Sequence, residues 1–277
     1  MNKETFHKKY LKFLLQNKNP TRAKKEKQYL YSKHKHYGLS SRLQDTYFKE
    51  LKKELTSLSK NEAFNLAKLL WSQPSHEEKS FALRILNLHS DKLNINDMPL
   101  IEKLMRESEG WVYLDNLIIP IMPIILKKDK TAYKYLKNWI KDNDFWVRRS
   151  ALLAQNLFFR KGEGGDRDLF FELAKSQFDE SWIPLIYKSA EEKKRVTFFI
   201  RKAIGWALRV MATKEPNIVE KFLEENKNKM SGLSYREGGK KLIYFEKVKN
   251  KSEALRREDE IKKTPKEEKS KLTGIYY

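Results

Sequence analysis

The chain has 277 residues, 40% of them hydrophobic, enough to bury one sizeable core or one core plus a small appendage. It has no cysteine, which excludes a disulfide framework, a thiolate zinc site and a cysteine-ligated iron–sulfur cluster. The formal net charge of +21 matches a polyphosphate partner, because every phosphate neutralised by Lys or Arg releases condensed counterions; the bland alternative is a solubility bias in a lysine-rich protein.

Only ten glycines and eight prolines, against abundant Leu, Lys and Glu, favour an all-helical chain. Apolar residues recur at helical spacing from the start: Phe6, Tyr10, Phe13 and Leu14, then Leu43, Tyr47, Phe48 and Leu51. Phe64, Ala67, Leu70 and Trp71 follow, then Phe81, Leu83, Ile85 and Leu86. The same periodicity predicts helices over 97–107, 111–126, 131–141, 145–159, 168–177, 197–212 and 216–226. Ser75 three residues before Glu78, and Asp144 ahead of an apolar run, read as helix starts. The stretch Lys161–Asp168 is a glycine-rich loop whose acids do not have calcium-loop spacing. No apolar run approaches the roughly 20 residues of a membrane span, and the amino terminus lacks a signal-peptide stretch. The expectation is therefore a cytoplasmic protein with no cofactor, no metal and no membrane partner.

Three helices put basic residues before a small-residue, leucine-rich face: the segments from Lys79, from Arg148 and from Arg201. Helices repeating in this way suggest an α-solenoid of HEAT type, built from stacked antiparallel helix pairs, although the irregular period leaves a non-repeating bundle open.

The most informative local feature is Trp111 followed by Asp115, an aromatic and a carboxylate one helical turn apart on a strongly basic chain. Such a pair is suited to a positively charged centre, because a carboxylate and an aromatic face both favour a cation. Read alone, Asp115 could equally pair with a neighbouring arginine. Trp71, Trp139, Trp146 and Trp182 are expected in the core. His34-Lys35-His36 is expected to be a solvated basic turn rather than a metal site. Lys127, Lys128, Lys130, Lys134, Lys193, Lys194 and Arg195 are candidate phosphate contacts, each individually also an ordinary surface charge.

Further stretches carry a specific resemblance. Asn19-Pro20, Lys27 to Leu30, Gly38-Leu39, Trp111 to Asp115, Trp146 to Arg149, Lys202 to Arg209 and Leu233 to Glu237 are similar, in order, to the AlkD-like DNA alkylation repair family of HEAT-like glycosylases. The resemblance covers about residues 5–237 and is weakest between 160 and 197, where extra residues fall around Asp179–Thr197. It implies that Trp111, Asp115 and Trp206 form the active-site trio, and that Arg149 lies beside it. Tyr29, Arg148, Arg149, Lys202 and Arg209 would contact DNA. The implied activity is excision of cationic N3- or N7-alkylated purines from duplex DNA, with a non-catalytic nucleic-acid scaffold as the alternative and a monomer as the default state. A protein–protein adaptor is a further rival. The expected organisation is one repair domain over 1–237 and a basic tail over 238–277. In the tail, Leu242–Glu246 reads as a strand and the charged run from Lys251 as a helix. This short strand–helix pair resembles the carboxy-terminal fragment of a GIY-YIG nuclease domain, with Glu258 on that family's metal-binding glutamate. Because the rest of such a domain is missing, no nuclease activity is expected.

Overall fold

The computed structural model describes residues 2–242 and 251–264. The chain opens with α1 (Lys3–Gln16), α2 (Pro20–Leu30), α3 (Ser41–Thr56), α4 (Lys60–Trp71) and α5 (His76–Leu88). Next come α6 (Met98–Arg106), α7 (Trp111–Lys128), α8 (Tyr133–Trp139), α9 (Phe145–Leu153), α10 (Asn156–Lys161) and α11 (Arg167–Lys175). The last are α12 (Trp182–Ile186), α13 (Ala190–Met211), α14 (Pro216–Asn226), α15 (Gly232–Gly239) and α16 (Lys251–Lys263). Short 3-10 turns precede α6 and α8. Among the described residues there is no strand, only one isolated bridge between Lys35 and Ser75, so the fold is all-α. The strand expected at Leu242–Glu246 falls almost wholly on 243–250, outside the described residues.

Local chemistry explains where the helices start. The Ser75 hydroxyl accepts the Glu78 N–H at 3.2 Å, and Asp144 accepts the Trp146 N–H at 2.8 Å, so both proposed starts are real caps. Two helices escape the periodicity. α2 has no buried residue, hence no apolar stripe; its signal is Asn19 capping the Arg22 N–H at 2.9 Å with Pro20 in the first turn. α13 starts seven residues before the periodic run, because Ser189 and Glu192 form a reciprocal capping box. The helix expected over 145–159 is two helices, broken where the Gln155 amide clasps the Asp166 backbone (Asp166 N–H to Oε1, 2.6 Å; Nε2 to the carbonyl, 3.1 Å).

The chain divides into two units, one comprising Met1–Leu157 with Gly164–Leu173, the other Phe158–Glu163 with Ala174–Tyr277. In the first unit α4 packs on α5, α6 on α7 and α8 on α9, while α5, α7 and α9 also pack side by side. Trp71, Trp139 and Trp146 are buried as expected. The indole N–H groups of Trp71 and Trp139 donate to Glu107 (2.8 Å) and Glu102 (2.7 Å), so neither is left unpaired in the core. α7 continues through Pro120 and Pro123. Pro120 has no N–H to give the Asn116 carbonyl, and the Asn87 amide of α5 donates to that carbonyl instead at 3.0 Å. In the second unit α13 packs on α15 and both touch α14. Their approach is close enough that a Cβ on Gly205 would lie 2.9 Å from the Ser234 carbonyl oxygen. The segment of extra residues forms α12 and the first turns of α13, and its Glu180 makes a two-point ion pair (2.6 and 2.7 Å) with Arg201 further along α13. Trp182 in this segment is half-buried rather than core.

Candidate active site

The first unit gathers Tyr29, Trp111, Asp115 and Arg149 from α2, α7 and α9. Because α2 has no apolar face, it must be held by polar contacts at its ends. The buried Glu77 carboxylate accepts the N–H groups of Tyr37 (3.1 Å), Gly38 (2.7 Å) and Leu39 (3.3 Å), fixing the loop that follows α2. Gly38 has φ +78°, and a Cβ there would lie 2.5 Å from the Ala23 amide nitrogen of α2. The Lys35 N–H bonds the Pro74 carbonyl, and the Lys35 carbonyl accepts the His76 N–H.

His36 departs from the expected solvated turn. Its side chain is 1% exposed, bonds Glu26 at 3.1 Å through Nδ1 and stacks on His76 with centroids 4.6 Å apart and planes 5° from parallel. His76 in turn bonds the Tyr113 hydroxyl of α7 at 2.8 Å through Nδ1. Burial, then the neighbouring His36, pulls the His76 pKa down to about 4. Glu26, His36 and His76 each bring a possible ligand atom within 4.8 Å of the others. Parallel rings, however, direct their lone pairs side by side rather than at one point, and both Nδ1 atoms are already bonded. The trio therefore fits a latch between α2, α5 and α7 rather than a cation site.

With α2 latched, the Tyr29 ring meets Trp111 edge-on, centroids 6.3 Å apart. One turn along α7, Asp115 takes a two-point bond from Arg149 of α9: Nε to Oδ1 at 3.0 Å and Nη2 to Oδ2 at 2.8 Å. The two side chains are 10% and 5% exposed. Burial pushes the Asp115 carboxyl above its usual range, and the charge and hydrogen bonds of Arg149 oppose that rise without cancelling it. Arg148 is buried like Arg149, with its guanidinium on the Asp142 and Lys141 carbonyls. Those bonds hold the turn before α9. Lys128 likewise donates to the Asp91 and Leu93 carbonyls. A cleft of about 880 Å³ opens beside the site, with Arg22, Lys25 and Tyr29 of α2, Arg84 of α5 and Asn116 of α7 among its walls.

In the second unit, Lys202, Trp206 and Arg209 fall on one face of α13 by their spacing of four and three. Lys202 and Arg209 converge on one buried carboxylate, Glu237 of α15, at 2.7 and 2.5 Å, and Lys240 joins them. Burial alone would raise the Glu237 carboxyl. Hydrogen bonds from Lys202 and Lys240, with the charges of Lys202 and Arg209, instead hold it below its usual range. Glu237 ends one of the motif stretches of the sequence, yet nothing local distinguishes it from a surface glutamate. The same holds for Glu77, whose role exists only once the 37–39 loop folds back on α5.

Among known proteins, the model of the DNA alkylation repair enzyme family matches residues 11–242. A solved structure described as a predicted DNA alkylation repair enzyme from Enterococcus faecalis superposes with a TM-score of 0.66 at 21% identity, covering 84% of this chain and 98% of its own. The crystal structure of smu.31 from Streptococcus mutans UA159 superposes with a TM-score of 0.47 at 19% identity, covering 72% and 96%. The first similarity shows a shared fold; the second is too distant to argue from. No curated protein matches the chain. The family match ends at residue 242 and gives the nuclease-like resemblance of 240–272 no support.

Proposed function

We propose, from the premise that this chain belongs to the DNA alkylation repair enzyme family, that it is a monofunctional glycosylase removing cationic N3- or N7-alkylated purines from duplex DNA. The observation that carries the reading is a buried carboxylate, Asp115, held at two points by Arg149 one helical turn from Trp111. Alkylation makes the purine cationic and a good leaving group. Its N-glycosidic bond therefore breaks with the electron pair going to the base and positive charge appearing on the deoxyribose. Water then adds at C1′ and releases a proton, leaving an abasic site. Asp115 stabilises the developing charge and positions the water. Arg149 uses one lone-pair position on each carboxylate oxygen, leaving others to accept. Trp111 offers an aromatic face, at about 0.5–2 kcal/mol for a cation depending on desolvation. The resemblance gives Trp206 the corresponding part of a second aromatic wall, and Tyr29, Arg148, Arg149, Lys202 and Arg209 the contacts to DNA; Arg148 also holds the turn before α9. The successive α4/α5, α6/α7 and α8/α9 pairs are read as HEAT-like repeats, and the enzyme as a monomer.

Abasic-site formation on duplex DNA carrying 7-methylguanine tests this directly. Wild type is expected to release the base and Asp115→Asn to keep DNA affinity while losing most release; equal release by both sinks the assignment. One observation favours a second reading, a non-catalytic DNA-binding scaffold: both Asp115 oxygens already bond Arg149, as in a purely structural ion pair. That reading predicts salt-sensitive DNA binding by both proteins and release by neither.

A further inference from the structure

α2 ends in a residue of left-handed conformation, where glycine is the usual choice because it has no Cβ to collide with its own backbone. Here that residue is Tyr31, with φ +50° and ψ +37°, the single non-glycine residue of positive φ among those described. The backbone requires the conformation: the Tyr31 N–H bonds the Gln28 carbonyl at 3.2 Å and the Ser32 N–H bonds the Lys27 carbonyl at 3.0 Å, closing the helix. The side chain gains nothing from folding that would offset the strain, since Tyr31 is 86% exposed. The strained backbone costs stability and the exposed ring recovers none of it by packing, which leaves a use outside the folded chain.

Its surroundings indicate what it meets. Tyr31 follows by two residues Tyr29, which is 70% exposed and touches Trp111. Lys24, Lys25, Lys27, Lys33 and Lys35 around it are all exposed. An aromatic face among lysines suits nucleic acid, the cations taking phosphates and the ring taking a base. In paired duplex both faces of each base are already stacked, so a protein ring reaches a base face only where a nucleotide has come out of the stack. We infer that Tyr31 stacks on an unstacked nucleobase near the lesion, holding the distorted strand against the Tyr29–Trp111 edge. This rests on the DNA-repair reading above and adds to it a residue that senses distortion rather than alkylation.

The test compares wild type, Tyr31→Gly and Tyr31→Phe on a paired duplex, on the same duplex with a one-nucleotide bulge, and in base release from the 7-methylguanine duplex. Wild type and Tyr31→Phe are expected to bind the bulged duplex about tenfold more tightly than the paired one, the size of a modest base–aromatic stack. Tyr31→Gly is expected to lose that preference while binding the paired duplex as before. It should also melt about 2–4 °C higher, because the strain is gone. A bulge preference retained by Tyr31→Gly overturns the inference, as does its absence in wild type or its loss in Tyr31→Phe. Base release separates the two levels: if release occurs in all three but the preference does not depend on Tyr31, the glycosylase reading stands and the stacking role falls. If no protein releases base or binds DNA, both fall.

Discussion

At the scale of single residues, two buried carboxylates are tuned in opposite directions, and the signs can be tested. Asp115 has its pKa raised by burial against the pull of Arg149. A raised carboxyl favours the protonated fold, so its contribution to stability is full below the ordinary aspartate range and is lost as pH rises through the raised pKa. In the proposed reaction the ionised form is the one that works, so base release is expected to fall off in acid earlier than an ordinary aspartate would dictate. Arg149→Met removes the opposing charge and should move the acid limb of the pH–rate profile further up; an unmoved limb assigns it to another group. Glu237 is held low by its lysines and arginine. Its stabilisation is present above the ordinary glutamate range and is lost as pH falls through the depressed pKa. Lys202 and Arg209 are about a third exposed and therefore partly screened, so Glu237→Gln is expected to destabilise by only about 1–3 kcal/mol at neutral pH. That difference should shrink in acid, as urea melts at pH 7 and pH 3.5 would show. Trp111 and Asp115 were legible in the sequence because i and i+4 share a helix face. Glu77, Glu237 and the His36–His76 stack were not, because their partners, Lys240 apart, lie 28 to 40 residues away and meet them only through packing.

At the scale of elements, the legible helices are those with a buried stripe, and the illegible ones are held by other means. α2 shows this most plainly. Its position depends on Gly38, whose replacement by Ala would press a Cβ against the Asn19 carbonyl oxygen and the Ala23 nitrogen in a left-handed conformation. Gly38→Ala is expected to destabilise by at least about 1–3 kcal/mol and to lower base release by displacing Tyr29. Melting by circular dichroism, together with the release assay, checks it; wild-type values in both would show that α2 is held elsewhere. The two prolines of α7 would argue from propensity against an unbroken helix, yet the apolar period ran straight through them. Asn87 explains why the period prevailed at Pro120.

At the scale of the whole molecule, the charge of +21 and the family match point to a polyanion, and the expected signature is a steep salt dependence. If roughly four phosphates are neutralised, affinity for duplex DNA should drop about a hundredfold between 50 and 200 mM salt. Affinity indifferent to salt would favour the protein-adaptor reading. The all-α class followed from composition. The division into two units did not, because no change in composition marks it: the chain leaves the first unit after Leu157, returns at Gly164 and leaves again after Leu173.

That returning segment governs how the protein can be cut. α11 contributes Leu169, Phe170 and Leu173, all buried, to a unit whose other residues end at 157. A fragment stopped at Leu157 would lack those side chains and expose the apolar surface they cover, so it should aggregate; one stopped at Lys175 carries them and should remain in solution. During synthesis the same geometry delays completion. Trp111 and Asp115 leave the ribosome about sixty residues before the last piece of their own unit, Leu173, so the unit that carries them is finished only after the chain has begun building its neighbour.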